Sequence, residues 1–252
     1  MPLVDLFITG SGRSGTSMVA GLFRATGAFM GERLLKPRIS NPLGFFEDAE
    51  INGINEDILR PLLPRRTVHD GLPYGMDAPV RGQLWLARLP MEVEVEGGES
   101  ERARIRAQVA RSPFCFKDPR FCYTLENWRR EAPQARMICV FRHPGEVVAS
   151  MFTDVQAAAY LHDFAISVSQ AFELWRLMYR RVLVRHSSHG RWLFLYYDDL
   201  FEPRVLERIE AFSDTVVDRS FPTRALKRSR SEFAIDGATQ DVFDELMRRA
   251  RE

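Results

Sequence analysis

The sequence predicts an α/β fold in which a central parallel sheet lies between layers of helices. Strand-like and helix-like runs alternate along the chain, which is typical of parallel sheets covered on both faces. One strand-like run, residues 3–9, passes through three glycines directly into a helix-compatible run, residues 18–25. A chain of 252 residues, 45% of them hydrophobic, suits one substantial core. We therefore expect a single domain over residues 1–252.

Composition limits the class of protein and its partners. Charged residues make up 27% of the chain and the formal net charge is +1, so we expect neither nucleic acid nor a membrane as partner. No apolar run approaches the ~20 residues that span a bilayer, and no basic segment precedes the N-terminal apolar run, which favours the cytoplasm. Cys115, Cys122 and Cys139 lie in or beside apolar runs, so we expect reduced core thiols and no metal site.

The glycine-rich turn after the first strand is the main candidate binding element. Residues 10–17 read G-x-x-x-x-G-T-S, and such a turn directs backbone N–H groups and a helix N-terminus at one anion. Nucleotide-binding versions carry lysine where Thr16 stands, and Arg13 is the one cation of this loop. A guanidinium can hold phosphate or sulfate by two hydrogen bonds. The loop makes the expected three-layer fold P-loop-like, although similar turns often bind nothing.

The next elements place two carboxylates at the start of a helix. Residues 36–44 form a loop by their proline, glycine and asparagine content, and residues 49–59 carry apolar side chains at helical spacing. Asp48 is best explained as the cap of this helix. Glu47 follows two phenylalanines, so we expect a carboxylate in a partly apolar cleft, with a raised pKa that suits a general base.

Residues 60–100 are rich in proline and glycine and lack periodicity, which is typical of an active-site cover. We expect an acceptor-binding lid here. Its His69 is a candidate acceptor-site residue and the alternative to Glu47 as base, although a lone loop histidine is more often solvated. Tyr74 and Trp85 suit a hydrophobic acceptor, whereas the arginines of this stretch suit an anionic one. These arginines are Arg65, Arg66, Arg81 and Arg88.

Three charged residues follow the second strand of the predicted sheet. A charged helix over residues 101–111 leads to a short buried strand, residues 114–116, and Lys117, Asp118 and Arg120 come directly after it. Ligands bind outside the carboxyl ends of parallel strands, so these side chains are candidates for the site. The alternative is an ordinary charged surface turn.

The third predicted strand, residues 135–141, follows a helix over residues 124–131 and ends at Arg142. Ser150 lies in the next helix, which starts near residue 146. Together a guanidinium and a hydroxyl at these positions can hold one phosphate, the first by charge and the second by a hydrogen bond.

The remaining chain continues the alternation of helices and strands. A long helix over residues 164–186 has an aromatic-rich apolar face that belongs to the core. A strand over residues 191–197 and an amphipathic helix over residues 204–212 follow. A short basic cluster, residues 224–230, precedes the last helix, which starts near residue 240.

Three of these motifs together resemble the sulfotransferases that use 3′-phosphoadenosine 5′-phosphosulfate (PAPS). Residues 12–17, G-R-S-G-T-S, are similar to the family's 5′-phosphosulfate loop in its R-S-G-T form. Residues 142–150 match its 3′-phosphate element, R-x7-S, and residues 197–203 are similar to its late Y-E-D-L-x-x-x-P signature. The stretches N-P-x-G-F-F-E-D and K-D-P-R resemble bacterial members in which a glutamate is the base.

The resemblance implies transfer of a sulfuryl group from PAPS to a hydroxyl or amine of a small-molecule or carbohydrate acceptor, without metal. The other product is adenosine 3′,5′-bisphosphate (PAP). Glu47 is then the general base, and Arg13 and Lys117 are cations near the transferred group. The donor-side residues are expected to be Gly12, Arg13, Ser14, Gly15, Thr16, Ser17, Arg142, Ser150 and Tyr197. The acceptor-side residues are expected to be Glu47, Asp118, Arg120 and His69.

Two departures from the family pattern and two alternative functions stay open. The late R-K-G-x-x-G-x-x-K segment of the cytosolic enzymes is absent, and residues 224–230 are its candidate replacement. No histidine stands where the aryl enzymes carry their base. A P-loop kinase, which needs Mg²⁺ and normally a loop lysine, and a non-enzymatic nucleotide-binding module are the alternatives. The sequence does not identify the acceptor or the oligomeric state.

Overall fold

The computed structural model describes residues 3–38, 41–69, 72–221 and 233–252, and gives only the backbone of residues 68–69 and 72–74. Within these ranges, four parallel strands form the central sheet in the order β4-β1-β5-β6. With strands numbered in chain order, these are β1 (Leu6–Thr9), β4 (Cys115–Lys117), β5 (Arg136–Phe141) and β6 (Trp192–Tyr196). Strands β2 (Thr67–His69) and β3 (Leu72–Tyr74) form a separate antiparallel hairpin.

The strands of the central sheet are short, apolar and covered on both faces. Leu6 of β1 pairs with Cys115 on one side and with Arg136 on the other. Successive side chains of a strand point to opposite faces. Leu6 and Ile8 therefore lie in one hydrophobic cluster, and Phe7 lies in another on the opposite face.

Helices cover both faces of the sheet, which confirms the predicted parallel sheet flanked by helices. The helices Thr16–Leu22 and Pro203–Ser213 pack on the face of Leu6 and Ile8, and the other six described α-helices pack on the opposite face. None of the described helices is long and apolar enough to cross a membrane. The described α-helices are α1 (Thr16–Leu22), α2 (Ala49–Leu59), α3 (Glu99–Val109), α4 (Phe121–Glu131), α5 (Pro144–Ala157), α6 (Val168–Arg181), α7 (Pro203–Ser213) and α8 (Gly237–Arg251).

The helix predicted over residues 164–186 begins later, at Val168. Ser167 Oγ accepts a hydrogen bond from the Gln170 N–H, and the Ser167 N–H donates to Gln170 Oε1. This capping box fixes the start of α6, and apolar spacing alone did not reveal it. Phe164 is nevertheless buried, because it packs into the core from outside the helix.

Residues 60–100 are less irregular than expected. They contain the β2–β3 hairpin and short 3₁₀ turns at Arg60–Leu62 and Leu84–Leu86. Leu84 and Leu86 are buried in the same core cluster as helix α6. This stretch therefore forms part of the wall of the core, and its function as an acceptor lid stays a prediction. The predicted basic cluster, residues 224–230, lies outside the described residues.

All four strands of the central sheet end at the same edge. There the chain continues from Thr9 into the glycine loop, from Lys117 into Asp118, from β5 into Arg142 and from β6 into Tyr197. This is the edge at which parallel sheets bind ligands. The fold thus gathers motifs that are far apart in the sequence.

Candidate active site

A cavity of about 730 Å³ opens at this edge and collects most of the predicted site residues. Ser14 and Asp118 do not line it, and the His69 side chain lies outside the described part of the chain. The predicted residues that line the cavity are Gly12, Arg13, Gly15, Thr16, Ser17, Glu47, Lys117, Arg120, Arg142, Ser150 and Tyr197.

Close packing shapes the glycine loop. Gly15 has a φ of +92°, an angle that glycine adopts without steric cost. The neighbouring Arg13 also has a positive φ, +72°, although it is not a glycine. A Cβ atom on Gly15 would lie 2.2 Å from Cδ2 of Tyr197, and one on Gly12 would lie 2.3 Å from Cε3 of Trp85. The loop therefore requires glycine at both positions, and two aromatic rings from distant segments hold it.

Ser14 faces the core and not the cavity. Its hydroxyl accepts a hydrogen bond from the Tyr179 hydroxyl at 2.8 Å and pairs with the Ser11 hydroxyl at 2.9 Å. The Ser14 N–H donates to the Ser11 carbonyl oxygen at 3.2 Å. Burial raises the pKa of Tyr179 well above its ordinary value, so its hydroxyl stays protonated and donates. The prediction that Ser14 contacts the donor does not fit this placement, because its polar groups already close the loop.

Arg13 connects the glycine loop to α5. Its Nε donates to Ser150 Oγ at 3.0 Å, and its Nη1 lies 3.1 Å from Asp154 Oδ2. Ser150 and Asp154 are four residues apart on the helix and share one face. The arginine predicted for the 5′ group and the serine predicted for the 3′-phosphate are therefore in direct contact, beside a carboxylate that the sequence analysis did not identify.

Arg142 is the second arginine of this side and is 6% exposed. Its Nε donates to Glu146 Oε2 at 2.7 Å, and its guanidinium carbon lies 4.9 Å from the centre of the Tyr197 ring. Each arginine predicted for the donor side is thus paired with a carboxylate of α5. Both arginines line the cavity.

Ser17 ties the glycine loop to the segment that precedes α2. Its hydroxyl donates to the Phe45 carbonyl oxygen at 3.2 Å and accepts from Asn41 Nδ2 at 3.0 Å. Glu47 follows Phe45 by two residues. The contact therefore links the two sides of the cavity through the backbone.

Glu47 forms a buried ion pair with Lys117 on the far side of the cavity. Lys117 Nζ donates to Glu47 Oε1, Asn52 Nδ2 donates to Oε2 at 3.0 Å, and Arg120 Nη1 lies 4.0 Å from Oε2. Burial by itself raises the pKa of Glu47, but the charges of Lys117 and Arg120 and the hydrogen bonds outweigh it, so this pKa lies below its ordinary value. The prediction of a raised pKa for Glu47 is wrong. It was based on the adjacent phenylalanines in the sequence, whereas the fold brings the cations Lys117 and Arg120 close to this carboxylate.

Carboxylates enclose Arg120 behind this pair. Its Nη2 donates to Glu56 Oε1 at 2.7 Å and its Nη1 to Asp118 Oδ1 at 3.0 Å. Asp118 is fully buried and also accepts from Asn55 Nδ2 at 2.9 Å. Burial raises the pKa of the Asp118 carboxyl against the opposing charge of Arg120. The predicted contact of Asp118 with the acceptor does not fit, because this side chain holds Arg120 from behind.

The cavity wall carries more cations than carboxylates, which favours an anionic ligand. Among the described residues, no group of three or more histidine, cysteine, aspartate or glutamate side chains could hold a metal ion. The lining cations are Arg13, Arg38, Arg81, Lys117, Arg120 and Arg142, and the lining carboxylates are Glu47, Glu56, Asp154 and Asp163.

Four described lining residues whose side chains make polar contacts to the predicted set were missed from the sequence: Asn41, Asn52, Glu56 and Asp154. Asp154 follows Ser150 by four residues, so its helical spacing from a predicted residue was a usable signal. Asn52 and Glu56 share one face of α2, but nothing in the sequence shows that this face meets Arg120. Their identification needed the fold.

Comparison with solved structures gives matches over nearly the whole chain at low identity. The sulfotransferase domain from the curacin biosynthetic pathway is 13% identical, with 97% of this chain and 98% of that chain covered and a TM-score of 0.48. A sulfotransferase of Alicyclobacillus acidocaldarius is 11% identical, with coverages of 98% and 94% and a TM-score of 0.45. A sulfotransferase of Mycobacterium avium is 15% identical, with coverages of 98% and 77% and a TM-score of 0.48.

Comparison with protein families identifies the chain more directly. No curated protein matches the sequence. The model of the sulfotransferase family matches residues 5–215. This match includes the glycine loop, the Glu47–Lys117 pair, the Arg142 and Ser150 element and Tyr197. Because the match extends over most of its length, the chain belongs to the sulfotransferase family.

Proposed function

We propose that this protein transfers a sulfuryl group from PAPS to a hydroxyl or amine of a small-molecule or carbohydrate acceptor and releases PAP. The family generally uses PAPS as donor. The observation that carries the proposal is the single cavity that joins three elements: the glycine loop, the Arg142 and Ser150 element, and the Glu47–Lys117 pair. A nucleotide site and a separate base candidate are both required for such a transfer.

The donor side has the chemistry that a nucleotide with two anionic ends requires. Guanidinium groups and hydroxyls are the usual protein partners of phosphate and sulfate oxygens. Arg13 and Thr16 would hold the 5′-phosphosulfate, and Arg142 with Ser150 would hold the 3′-phosphate. The 3.0 Å contact between Arg13 and Ser150 supports one continuous site for both ends.

When bound, PAPS supplies a sulfuryl group: the acceptor atom bonds to sulfur, the bond from sulfur to the 5′-phosphate oxygen breaks, and PAP leaves with the bonding electrons. Glu47 takes the proton of the acceptor, and its lowered pKa keeps it ionised at neutral pH. Lys117 donates a hydrogen bond to Glu47 Oε1 and places a positive charge beside the position proposed for the transferred sulfuryl group. A general base such as the one proposed for Glu47 typically increases the rate about 10²–10⁴-fold.

The acceptor would lie between Glu47 and the wall that Trp85 and Tyr160 form. Three of the four arginines expected to meet an anionic acceptor already have carboxylate partners, which favours a hydrophobic small molecule over an anionic one. These pairs are Arg66 with Asp163, Arg81 with Asp57, and Arg88 with Asp77 and Glu173.

A thermal-shift titration tests the donor assignment. The protein is titrated with PAP in EDTA and, separately, with ATP and Mg²⁺. A ligand at ~100 times its dissociation constant adds about 2.7 kcal/mol to the free energy of unfolding, which is readily detected. We expect PAP to stabilise the protein without metal and ATP with Mg²⁺ to have no comparable effect.

Incubation with PAPS then tests transfer. Release of PAP is followed with phenols, alcohols, amines and sugars as acceptors, and with water alone as the reference. Acceptor-dependent PAP release supports the proposal. Stabilisation by ATP and Mg²⁺ alone would favour a kinase, and PAP binding without any turnover of PAPS would indicate a nucleotide-binding module.

A further inference from the structure

Glu56 contacts two parts of the cavity wall: the group of charges around Glu47 and the turn that precedes Trp85. It lies on α2, further along the chain than Glu47, and its side chain is 5% exposed. Its Oε1 accepts hydrogen bonds from Arg120 Nη2 at 2.7 Å and from the Leu84 N–H at 3.4 Å. Its Oε2 accepts from the Gly82 N–H at 2.5 Å. One buried carboxylate thus holds a guanidinium and two backbone amides.

The two amides belong to the turn that presents Trp85 to the cavity. Gly82 has a φ of +87°, and no atom lies within 4 Å of the position that a Cβ would occupy there. Packing therefore does not restrain the turn at this point, whereas the following residues, Leu84–Leu86, are buried. The hydrogen bonds to Glu56 hold the start of this wall against α2. The buried Gln83 side chain, between the two amides, also holds it, through the Tyr160 carbonyl oxygen and Asp163.

The guanidinium belongs to the group of charges around Glu47. Arg120 lies 4.0 Å from Glu47 Oε2, and its other carboxylate partners are Asp118 and Glu56. Removing the charge of Glu56 takes away a negative neighbour of Arg120, so the surroundings of Glu47 carry more net positive charge and favour its ionised form more strongly. A more strongly paired carboxylate accepts a proton less readily.

We propose that Glu56 is a positioning residue that fixes residues 82–86 as the acceptor wall and restrains Arg120 beside the base. The inference rests on the proposed function, since it concerns the same cavity. It makes one carboxylate responsible for two separable properties: the order of the wall and the reactivity of Glu47.

Two substitutions separate these properties. Glu56→Gln removes the charge and keeps one oxygen, which can still accept from the closer amide, that of Gly82, but not from both amides. Glu56→Asp keeps the charge but is one methylene shorter, so it no longer reaches both amides and Arg120. Glu50→Gln is the matched control, because Glu50 lies on the same helix and pairs with Arg33 and Arg104 away from the cavity.

Three measurements are made on the full chain of each variant. Hydrogen exchange reports the protection of the Gly82 and Leu84 amides. PAP release from PAPS in water alone gives a rate that needs no known acceptor. Transfer to 4-nitrophenol gives an acceptor KM and kcat, and the thermal shift with PAP checks that the donor side is intact.

We expect Glu56→Gln to lower the rate of PAPS hydrolysis about ten- to a hundredfold while the Gly82 amide stays protected. In Glu56→Asp the Gly82 and Leu84 amides should both exchange about ten- to a hundredfold faster, and the KM for 4-nitrophenol should rise. Both variants should keep the PAP-induced thermal shift of the wild type. Glu50→Gln should match the wild type in all measurements.

Unchanged exchange in Glu56→Asp, or hydrolysis by Glu56→Gln equal to that of Glu50→Gln, would overturn the proposal. Equal losses in every rate, with unchanged KM and exchange, would indicate a merely structural residue and would also overturn it. If Glu56→Gln does not fold, the exchange and KM of Glu56→Asp decide. Failure of the wild type to bind PAP or to turn over PAPS would refute the proposed function instead.

Discussion

The proposed donor side and the proposed acceptor side of the cavity are built in different ways. On the donor side, Arg13 and Arg142 each pair with a carboxylate of one helix, α5. On the acceptor side, Glu47, Lys117, Arg120 and Glu56 come from α2, from the segment before it and from the end of β4, and they form one buried network of charges.

This difference affects how each side responds to substitution. The proposed donor side holds its two arginines in separate ion pairs, so losing one arginine should weaken binding of an anionic ligand without disturbing the other. The acceptor side consists of buried charges that share partners, and removal of one partner of a buried ion pair leaves the other uncompensated. Effects of substitutions on the acceptor side should therefore be non-additive.

The largest effect is expected from Glu47→Gln, which removes the proposed base. Turnover of PAPS should fall about 10²–10⁴-fold, because the substituted side chain cannot take the acceptor's proton. PAP should still stabilise the variant, since the donor side is separate. Glu50→Gln is the matched control, and wild-type turnover by Glu47→Gln would rule out the assignment.

A smaller effect, confined to the donor side, is expected from Arg142→Met. A hydrogen bond from a charged donor contributes about 1.5–3 kcal/mol to the free energy of binding. Its loss should raise the dissociation constant of PAP about ten- to a hundredfold, as measured by calorimetry. At saturating PAPS, kcat should change much less. Arg104→Met, which removes an arginine paired with Glu50 and Asp57, should leave PAP binding unchanged.

Asp154→Asn should have a modest effect of opposite sign. The substitution removes a carboxylate that pairs with Arg13 in the donor site, so a bound anion meets less competition. The Asp154 side chain is 7% exposed and that of Arg13 is 21% exposed, so the substitution leaves a largely buried guanidinium uncompensated. A bound anion restores the balance, and PAP should bind about three- to tenfold more tightly. Weaker binding would show instead that Asp154 serves the ligand by orienting Arg13. Glu173→Gln, remote from the cavity, is the control.

The smallest expected effect is that of pH on kcat at saturating PAPS. A base is active when ionised and loses activity as the pH falls through its pKa. The pKa of Glu47 is lowered from its ordinary value of 4.5, so protonation of this base should not reduce kcat between pH 8 and about 5. A loss of activity centred at pH 6–7 would contradict this and would direct attention to a histidine such as His69.

Local patterns predicted most of the elements. The helix Ala49–Leu59 was predicted with its observed bounds, and Asp48 caps it through the N–H groups of Glu50 and Ile51. The start of α6 was missed, because Ser167 and Gln170 form a cap inside an otherwise continuous apolar pattern. Alternation and spacing show which residues prefer to be buried, whereas caps depend on two side chains meeting the backbone.

The site was predicted unevenly for the same reason. Motifs whose residues are close in sequence, such as the glycine loop and Arg142 with Ser150, line the cavity as predicted. Ser14 is the exception, because its side chain contacts Tyr179 in the core. Asp118 was placed correctly at a strand end, yet its side chain points to Arg120 behind the wall. Sequence position indicates the strand end, but the neighbours decide the direction of each side chain.

By itself the sequence determined the parallel sheet flanked by helices, the glycine loop at the first strand end and the membership of the sulfotransferase family. These depend on periodicity and on contiguous motifs. Only the tertiary structure decided the state of Glu47, because Lys117 lies 70 residues away in sequence and still contacts its carboxylate. Electrostatic interactions depend on distance in space, so the pKa of a buried group follows from the fold and not from its neighbours in the chain.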